Sequence, residues 1–503
     1  MKTNSIVRML AGWLICCVVA GAAESERPNL IIINIDDLGY GEISPFGGRI
    51  ATPELDRMAT EGRKLTSHYA APVCSPSRAA LMTGCYPKRV LPVPHVLFPA
   101  GAVGLTTEAR TLAEVLRAGG YATAMIGKWH LGDQAPFLPT RRGFERYYGL
   151  PYSNDMGPGG DGVKNDLVVG AAVAKAEGGA KAGKAPAAKA KANPPVDDET
   201  GVRGNQPPLA LLEGDKVVGR VRIPEQIDLM RRYTERAVAY IREPREKPFF
   251  LYLAPNAVHF PRYPRAEYVG RSGQGLLGDW IREMDWSVGE VLAALRATGL
   301  DRRTLVIFTS DNGGPVQQGA VNRPLRGSKG TTWEGGMRVP TIAWWPGKVP
   351  AGTETGAITS MMDVLPTFAA LARVPLAAGE RIDGVDLGPL LVGEPVVPPR
   401  NTFFYFNGLK LEAIRHGGWK LHLGTGQLYN LVADVGEAQD VAASNPDVVA
   451  RLRAVAEPMR ADLGWEGVGP GCRPLARVAE PKPLIAVDGT VRVDAVRDYA
   501  RLP

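Results

Sequence analysis

Cysteine is scarce in this chain of 503 residues, with five in all. Cys16 and Cys17 lie in an N-terminal apolar run, which leaves Cys74, Cys85 and Cys472 for the rest of the protein. So few cysteines exclude a disulfide framework as the source of stability. Cys85 and Cys472 are able to pair in an oxidising compartment, although nothing in the sequence requires it. Tandem repeats are absent, which excludes a repeat architecture. The apolar run Met9–Val19 is too short to favour a transmembrane helix. Lys2 and Arg8 precede it and Ala20-Gly21-Ala22 follows, so residues 1–22 read as a secretory signal peptide. A secreted or periplasmic location without stable membrane insertion is the expectation.

The chain as a whole has the make-up of a globular protein, 45% hydrophobic and 22% charged. Its length suits one large domain plus a smaller one. A net charge of +7 suits an anionic substrate, and a basic balance also serves nucleic-acid or surface binding. Pro28–Leu38, Pro248–Ala254 and Thr304–Ser310 are continuous apolar runs, the pattern of strands buried on both faces. Helical patterns at Thr111–Ala118, Asp228–Arg242 and Leu276–Thr298 lie among them. The alternation predicts an α/β fold with a mainly parallel central sheet flanked by helices. Ala171–Asn193 is rich in Ala, Gly and Lys and lacks the apolar residues that offset ordering entropy. It reads as the heart of a flexible insertion at about 158–220. Short strands at Phe403–Phe406, Leu411–Arg415 and Trp419–Leu423 predict a small antiparallel sheet, and Asp447–Leu463 a helix. The expected division is a signal peptide at 1–22, a catalytic domain at 23–394 and a small C-terminal domain with tail at 395–503.

The chemistry concentrates at Cys74-Ser-Pro-Ser-Arg78 and the apolar segment after it. Proline is tolerated in a first helical turn, so Cys74 falls at a helix N-terminus, the end that attracts anions. Arg78, four residues on, returns to the same face. Asp36-Asp37 and Asp311-Asn312 each end a strand, where α/β sheets bind ligands. Neighbouring carboxylates there repel unless a cation lies between them, and an all-oxygen set suits Ca²⁺ or Mg²⁺. Each pair alone also reads as a turn. A thiolate at Cys74 fits such hard ligands poorly, which hints that it does not act as a cysteine. Gly127-Lys-Trp-His-Leu-Gly132 follows a strand at Tyr121–Ile126. In an extended segment Lys128 and His130 point one way and Trp129 the other, and a cation beside a base suits anion binding with proton transfer. His259 is a second acid–base candidate, and Lys329 lies in a Gly-flanked loop able to close over an anion.

In these motifs the chain resembles the type I, formylglycine-dependent sulfatases, with an arylsulfatase A-like and N-acetylgalactosamine-6-sulfatase-like flavour. Cys74-Ser-Pro-Ser-Arg78 with Leu81-Met-Thr-Gly84 matches the family signature C-x-P-S-R-x-x-x-[LM]-T-G, and Gly127–Gly132 matches the second signature. Pro151-Tyr-Ser-Asn-Asp155, Ser310-Asp-Asn-Gly-Gly314, Lys329-Gly-Thr-Thr-Trp-Glu-Gly-Gly336 and Gln427-Leu-Tyr-Asn-Leu431 extend it from Pro28 to about Leu463. The resemblance implies an alkaline-phosphatase-like large domain and oxidation of Cys74 to Cα-formylglycine by a formylglycine-generating enzyme. It implies Ca²⁺, rather than Mg²⁺, held by Asp36, Asp37, Asp311, Asn312 and the residue formed from Cys74. Arg78 would stabilise the aldehyde hydrate, Lys128 would hold sulfate oxygens and Ser153 would touch substrate. His130 would take a hydrate proton, and His259 with Lys329 would assist the leaving oxygen. The implied reaction is hydrolysis of a sulfated carbohydrate or aryl sulfate through a covalent sulfo-enzyme intermediate. A phosphatase or phosphonate monoester hydrolase of the same superfamily and a non-catalytic sulfated-glycan binding protein are the alternatives; no nucleic-acid partner is expected.

Overall fold

The computed structural model describes residues 27–167, 199–395 and 397–491. The expected signal peptide and the Ala/Lys run at 171–193 lie outside the described residues. No helix among the described residues is long and apolar enough to cross a membrane.

The strand Asn29–Ile35 has every residue buried, and its neighbours Phe249–Ala254 and Thr304–Ser310 are the same. Side chains alternate across a strand, so each feeds two cores at once. Leu30, Ile32, Phe250, Tyr252, Leu305 and Ile307 enter one core. Ile31, Ile33, Ile35, Leu251, Leu253, Val306 and Phe308 enter the other. Helices Cys74–Thr83, Leu112–Ala118 and Val364–Leu371 cover the first face, and Pro53–Glu61, Ile223–Arg242 and Gly275–Ala297 the second. Burial on both faces is why these strands read as unbroken apolar runs.

The large sheet has ten strands. Its central five, ordered Thr304–Ser310, Asn29–Ile35, Phe249–Ala254, Ala122–Gly127 and Arg146–Gly149, are parallel. The central sheet is mainly parallel as expected, and both flanks add antiparallel pairings. Those flanking strands are short, three to five residues, and carry no long apolar run to announce them. Residues Ala210–Glu213 and Lys216–Arg220 pair as a hairpin on one flank, so the segment expected as a flexible insertion is in this part built into the sheet.

The C-terminal strands Thr402–Asn407, Lys410–His416, Trp419–His422 and Leu428–Asn430 form an antiparallel meander, with helix Pro446–Leu463 packed on it. Its core takes in Tyr69, Ala80 and Met337 of the larger part, so the two share apolar contacts. Cys85 and Cys472 are both free thiols. Cys85 Sγ donates to the Arg381 carbonyl and Cys472 Sγ to the Leu463 carbonyl, so no pairing forms.

Candidate active site

Register brings the acidic residues together. Ile35 lies opposite Ser310 in the parallel pair, so the chain leaves both strands level and Asp36-Asp37 emerges beside Asp311-Asn312. Asp37 N donates to Asp311 Oδ1 at 3.2 Å and Leu38 N to Ser310 Oγ at 3.0 Å, which locks the turn. Asp37 holds φ at +65°, a conformation that Asp tolerates better than most residues.

The helix Cys74–Thr83 points its N-terminus at this rim. Ser77 Oγ accepts from Ala71 N at 2.8 Å and donates to the Ala71 carbonyl at 3.1 Å, which fixes the approach to Cys74. Gly84 closes the helix at φ +67°, donating to the Ala80 carbonyl. Cys74 sits at the first helical position with its Sγ 3.4 Å from Asp36 Oδ1. Arg78, fully buried, gives Nε and Nη2 to Asp311 Oδ2 at 3.0 and 2.8 Å and Nη1 to the Lys128 carbonyl at 2.6 Å.

Gly127 lets the next strand end here. Its φ is +113°, and a Cβ would lie 2.0 Å from the Ala254 carbonyl oxygen. Lys128 Nζ then reaches Asp36 Oδ2 at 2.6 Å and Ser153 Oγ at 3.2 Å. The extended geometry expected for Lys128–His130 does not hold, because His130 turns to φ +64°. Trp129 is anchored instead by Nε1 on the Phe137 carbonyl at 2.8 Å. His130 Nε2 lies 2.9 Å from the Leu97 carbonyl, while its buried Nδ1 has no partner. A carbonyl accepts only, so Nε2 carries the hydrogen and Nδ1 presents a lone pair. Lys329 Nζ lies 2.7 Å from Asp37 Oδ1, and His259 Nε2 3.6 Å from Asp37 Oδ2. Ser153 Oγ is 3.3 Å from His259 Nδ1. Every residue singled out in the sequence is therefore brought to one rim. The Leu97 carbonyl that sets the His130 tautomer is a backbone group and left no side-chain signal to find.

Charge is nearly balanced within the cluster. Asp36, Asp37 and Asp311 face Arg78, Lys128 and Lys329. Burial would raise the Asp36 carboxyl, but Lys128, His259, Arg78 and Lys329 hold it well below the usual carboxylate range. Asp311 is pushed up by burial and by the Asp36 charge beside it. Burial, then Lys128 and Arg78, press His130 well below its ordinary value, so its imidazole is neutral. Burial and the Asp311 charge push the Cys74 thiol well up, which rules against a working thiolate.

The residues fit Ca²⁺. Asp36, Asp37, Cys74 and His259 bring ligand atoms within 4.8 Å of one another. Asn312 Nδ2 is fixed on Asp37 Oδ1 at 2.7 Å and on the Gly313 carbonyl at 3.0 Å, while its buried Oδ1 has no hydrogen-bond partner. An orphaned amide oxygen among three carboxylates is an acceptor waiting for a hard cation. An oxygen in place of the Cys74 sulfur completes a hard donor set.

A nucleophile precursor on a helix N-terminus, a hard-cation cradle and three fixed cations at the carboxyl end of an α/β sheet define a metal-assisted hydrolase of anionic esters. The sulfatase family model matches residues 28–374, and the chain belongs to that family. It is 38% identical to arylsulfatase A of Homo sapiens over 425 residues, 82% of this chain and 78% of the relative. It is 38% identical to steryl-sulfatase of Mus musculus over 460 residues, 82% of this chain and 73% of that one. The crystal structure of Ps i-CgsB in complex with k-i-k-neocarrahexaose superposes with a TM-score of 0.71 at 29% identity, covering 89% of this chain and 94% of the other. The protein is a sulfuric-ester hydrolase, an enzyme of the arylsulfatase type, and its Asp36–Asp37–Cys74–His259 cluster is that of a formylglycine- and calcium-dependent site.

Proposed function

We propose that the protein removes sulfate from a sulfated saccharide outside the cytoplasm, as a secreted or periplasmic enzyme, after a formylglycine-generating enzyme has matured Cys74. The observation that carries the chemistry is the convergence of Cys74, the orphaned Asn312 Oδ1 and three carboxylates with three cations on one sheet rim. The extracellular setting rests on the N-terminal signal, and the saccharide on the hexaose that accompanies Ps i-CgsB.

Asp36, Asp37, Asp311 and Asn312, with the residue formed from Cys74, would hold Ca²⁺. The ion supplies positive charge for an approaching sulfate ester, and formylglycine supplies, as its hydrate, an oxygen nucleophile where a thiol stood. Arg78 is rigid because three of its nitrogens are spoken for, so it offers a fixed positive field beside the nucleophile. Lys128 Nζ and Ser153 Oγ, 3.2 Å apart, hold non-bridging sulfate oxygens. His130 would accept a proton at its free Nδ1. His259, with Lys329 beside it on Asp37, delivers a proton to the leaving alcohol oxygen.

The test of the substrate class is release of inorganic sulfate from a panel of sulfated mono- and oligosaccharides set against a steroid sulfate. Turnover of a saccharide at a higher kcat/KM than the steroid supports the assignment; turnover of the steroid alone overturns it.

A further inference from the structure

The loop from Ser328 to Gly336 carries Lys329, whose own N donates to the Gly314 carbonyl at 3.2 Å, and it touches the rest of the site at further points. Gly330 N donates to the Pro72 carbonyl at 2.8 Å, two residues before Cys74. Gly313 N, next to Asn312, donates to the Gly336 carbonyl at 3.0 Å. Within the loop, Thr331 N and Oγ1 donate to the Ser328 carbonyl at 3.1 and 2.7 Å, and Gly336 N donates to the Trp333 carbonyl at 2.9 Å. The C-terminal part grips the loop at several points, among them Asn407 Nδ2 on the Gly330 carbonyl at 3.4 Å. Lys420 Nζ donates to the Thr332 carbonyl at 2.8 Å. Glu437 Oε2 accepts from Glu334 N at 2.7 Å. Glu412 Oε2 accepts from Thr332 Oγ1 at 2.8 Å.

Behind the loop lies a buried ionic cluster that the reaction does not use. Lys420, Glu334 and Glu437 are all fully buried. Lys420 Nζ lies 3.0 Å from Glu334 Oε1 and 2.8 Å from Glu437 Oε1. Tyr69 and Tyr405 hydroxyls donate to the two Glu334 oxygens at 2.5 and 2.7 Å, and Arg338 stands 3.4 Å away. His422 Nε2 lies 3.3 Å from Glu437 Oε1. Burying such charges costs several kcal/mol per ion, and apolar residues would close the same interface at least as firmly. What ions add is direction. Lys420 sits between two carboxylates and a loop carbonyl, so the Thr332–Glu334 backbone is held by two charge-assisted bonds, one from Lys420 Nζ and one to Glu437.

We infer that Lys420, through its bridge from Glu334 and Glu437 to the Thr332 carbonyl, is a positioning residue that makes the C-terminal sheet set the place of Lys329 in the active site. The inference rests on the proposed function only in taking Lys329 to act in turnover. A displacement of about 1 Å at a catalytic group costs on the order of a hundredfold in rate.

The test is a double-mutant cycle on matured, calcium-loaded enzyme, with Lys420→Met, Lys329→Ala and the double variant assayed on 4-nitrophenyl sulfate and phenyl sulfate. Lys420→Met should lower kcat on phenyl sulfate by about ten- to a hundredfold with KM little changed. In the Lys329→Ala background the same substitution should change kcat by less than about threefold, because the group it positions is gone. Equal losses from Lys420→Met with and without Lys329 would overturn the inference. A separate comparison reads the role of Lys329 itself. If it assists the leaving oxygen, Lys329→Ala hurts phenyl sulfate more than the better leaving group, and equal losses there reject that role while leaving the cycle decisive. If Lys420→Met does not accumulate as folded protein, Glu437→Gln keeps the shape, removes the charge and carries the same cycle.

Discussion

Replacing Arg78 by lysine keeps the charge and removes the fork. The guanidinium makes two bonds to Asp311 Oδ2, at 3.0 and 2.8 Å, and one to the Lys128 carbonyl at 2.6 Å. An ammonium on a flexible stem is able to retain Asp311 but not all three directions at once. The residue is fully buried, so water cannot satisfy what is left. A stranded carbonyl costs about 1–3 kcal/mol, and a lost charge-assisted bond about 1.5–3 kcal/mol. Arg78→Lys should therefore destabilise the fold by roughly 2–5 kcal/mol, and Arg78→Ala, which strands a buried carboxylate, by at least about 3–5 kcal/mol. Because Arg78 lies within the maturation motif, the comparison belongs in a Cys74→Ala background, where oxidation of Cys74 plays no part. Urea denaturation at fixed calcium gives the difference from the shift in midpoint at constant slope. A change below about 1 kcal/mol for Arg78→Lys would refute the view that the fork, and not charge alone, holds the Asp311 and Lys128 segments together.

Calcium should raise the thermal midpoint of chelator-treated protein, with stabilisation of about 2.7 kcal/mol once the free ion reaches a hundred times its dissociation constant. Asn312→Ala should shrink that increment at the same calcium concentration, and an unchanged increment would remove Asn312 Oδ1 from the ligand set. The depressed value of His130 leaves its imidazole unprotonated well below pH 6.5, so the acid limb of the kcat profile should not fall at pH 6.5. A limb at that pH which His130→Ala abolishes would contradict the neutral, lone-pair-bearing Nδ1. Gly127→Ala forces a Cβ to 2.0 Å from the Ala254 carbonyl oxygen at φ +113°. It should cost about 2–4 kcal/mol and lower kcat by shifting Lys128, read by urea denaturation and aryl sulfate turnover.

The motifs made the site legible before the fold was seen, and the reason is physical. Strands buried on both faces announce themselves as Ile31-Ile-Ile33 or Thr304–Ser310, and residues that follow them must lie on the ligand-binding rim. The mismatch between the Cys74 sulfur and hard carboxylates was likewise visible in residue types alone. Other features depend on tertiary geometry. The antiparallel flanks are too short to carry a period, and the turn at His130 is held by long-range bonds, His130 N on the Pro151 carbonyl and Nε2 on the Leu97 carbonyl. The grip of Lys420 on the Thr332 carbonyl joins residues 88 apart in the chain. No local pattern marks Lys420, since a lysine in a short strand reads as a solvated one.

The most direct test is the mass of the peptide containing Cys74 in active protein, taken alongside rates on an aryl sulfate and the matching aryl phosphate. The expected result is a peptide in which an aldehyde has replaced the CH₂SH side chain, sulfate turnover in proportion to the matured fraction, and a clear preference for the sulfate ester. Full activity from protein with an unmodified Cys74 thiol, or a large preference for phosphate, would contradict it.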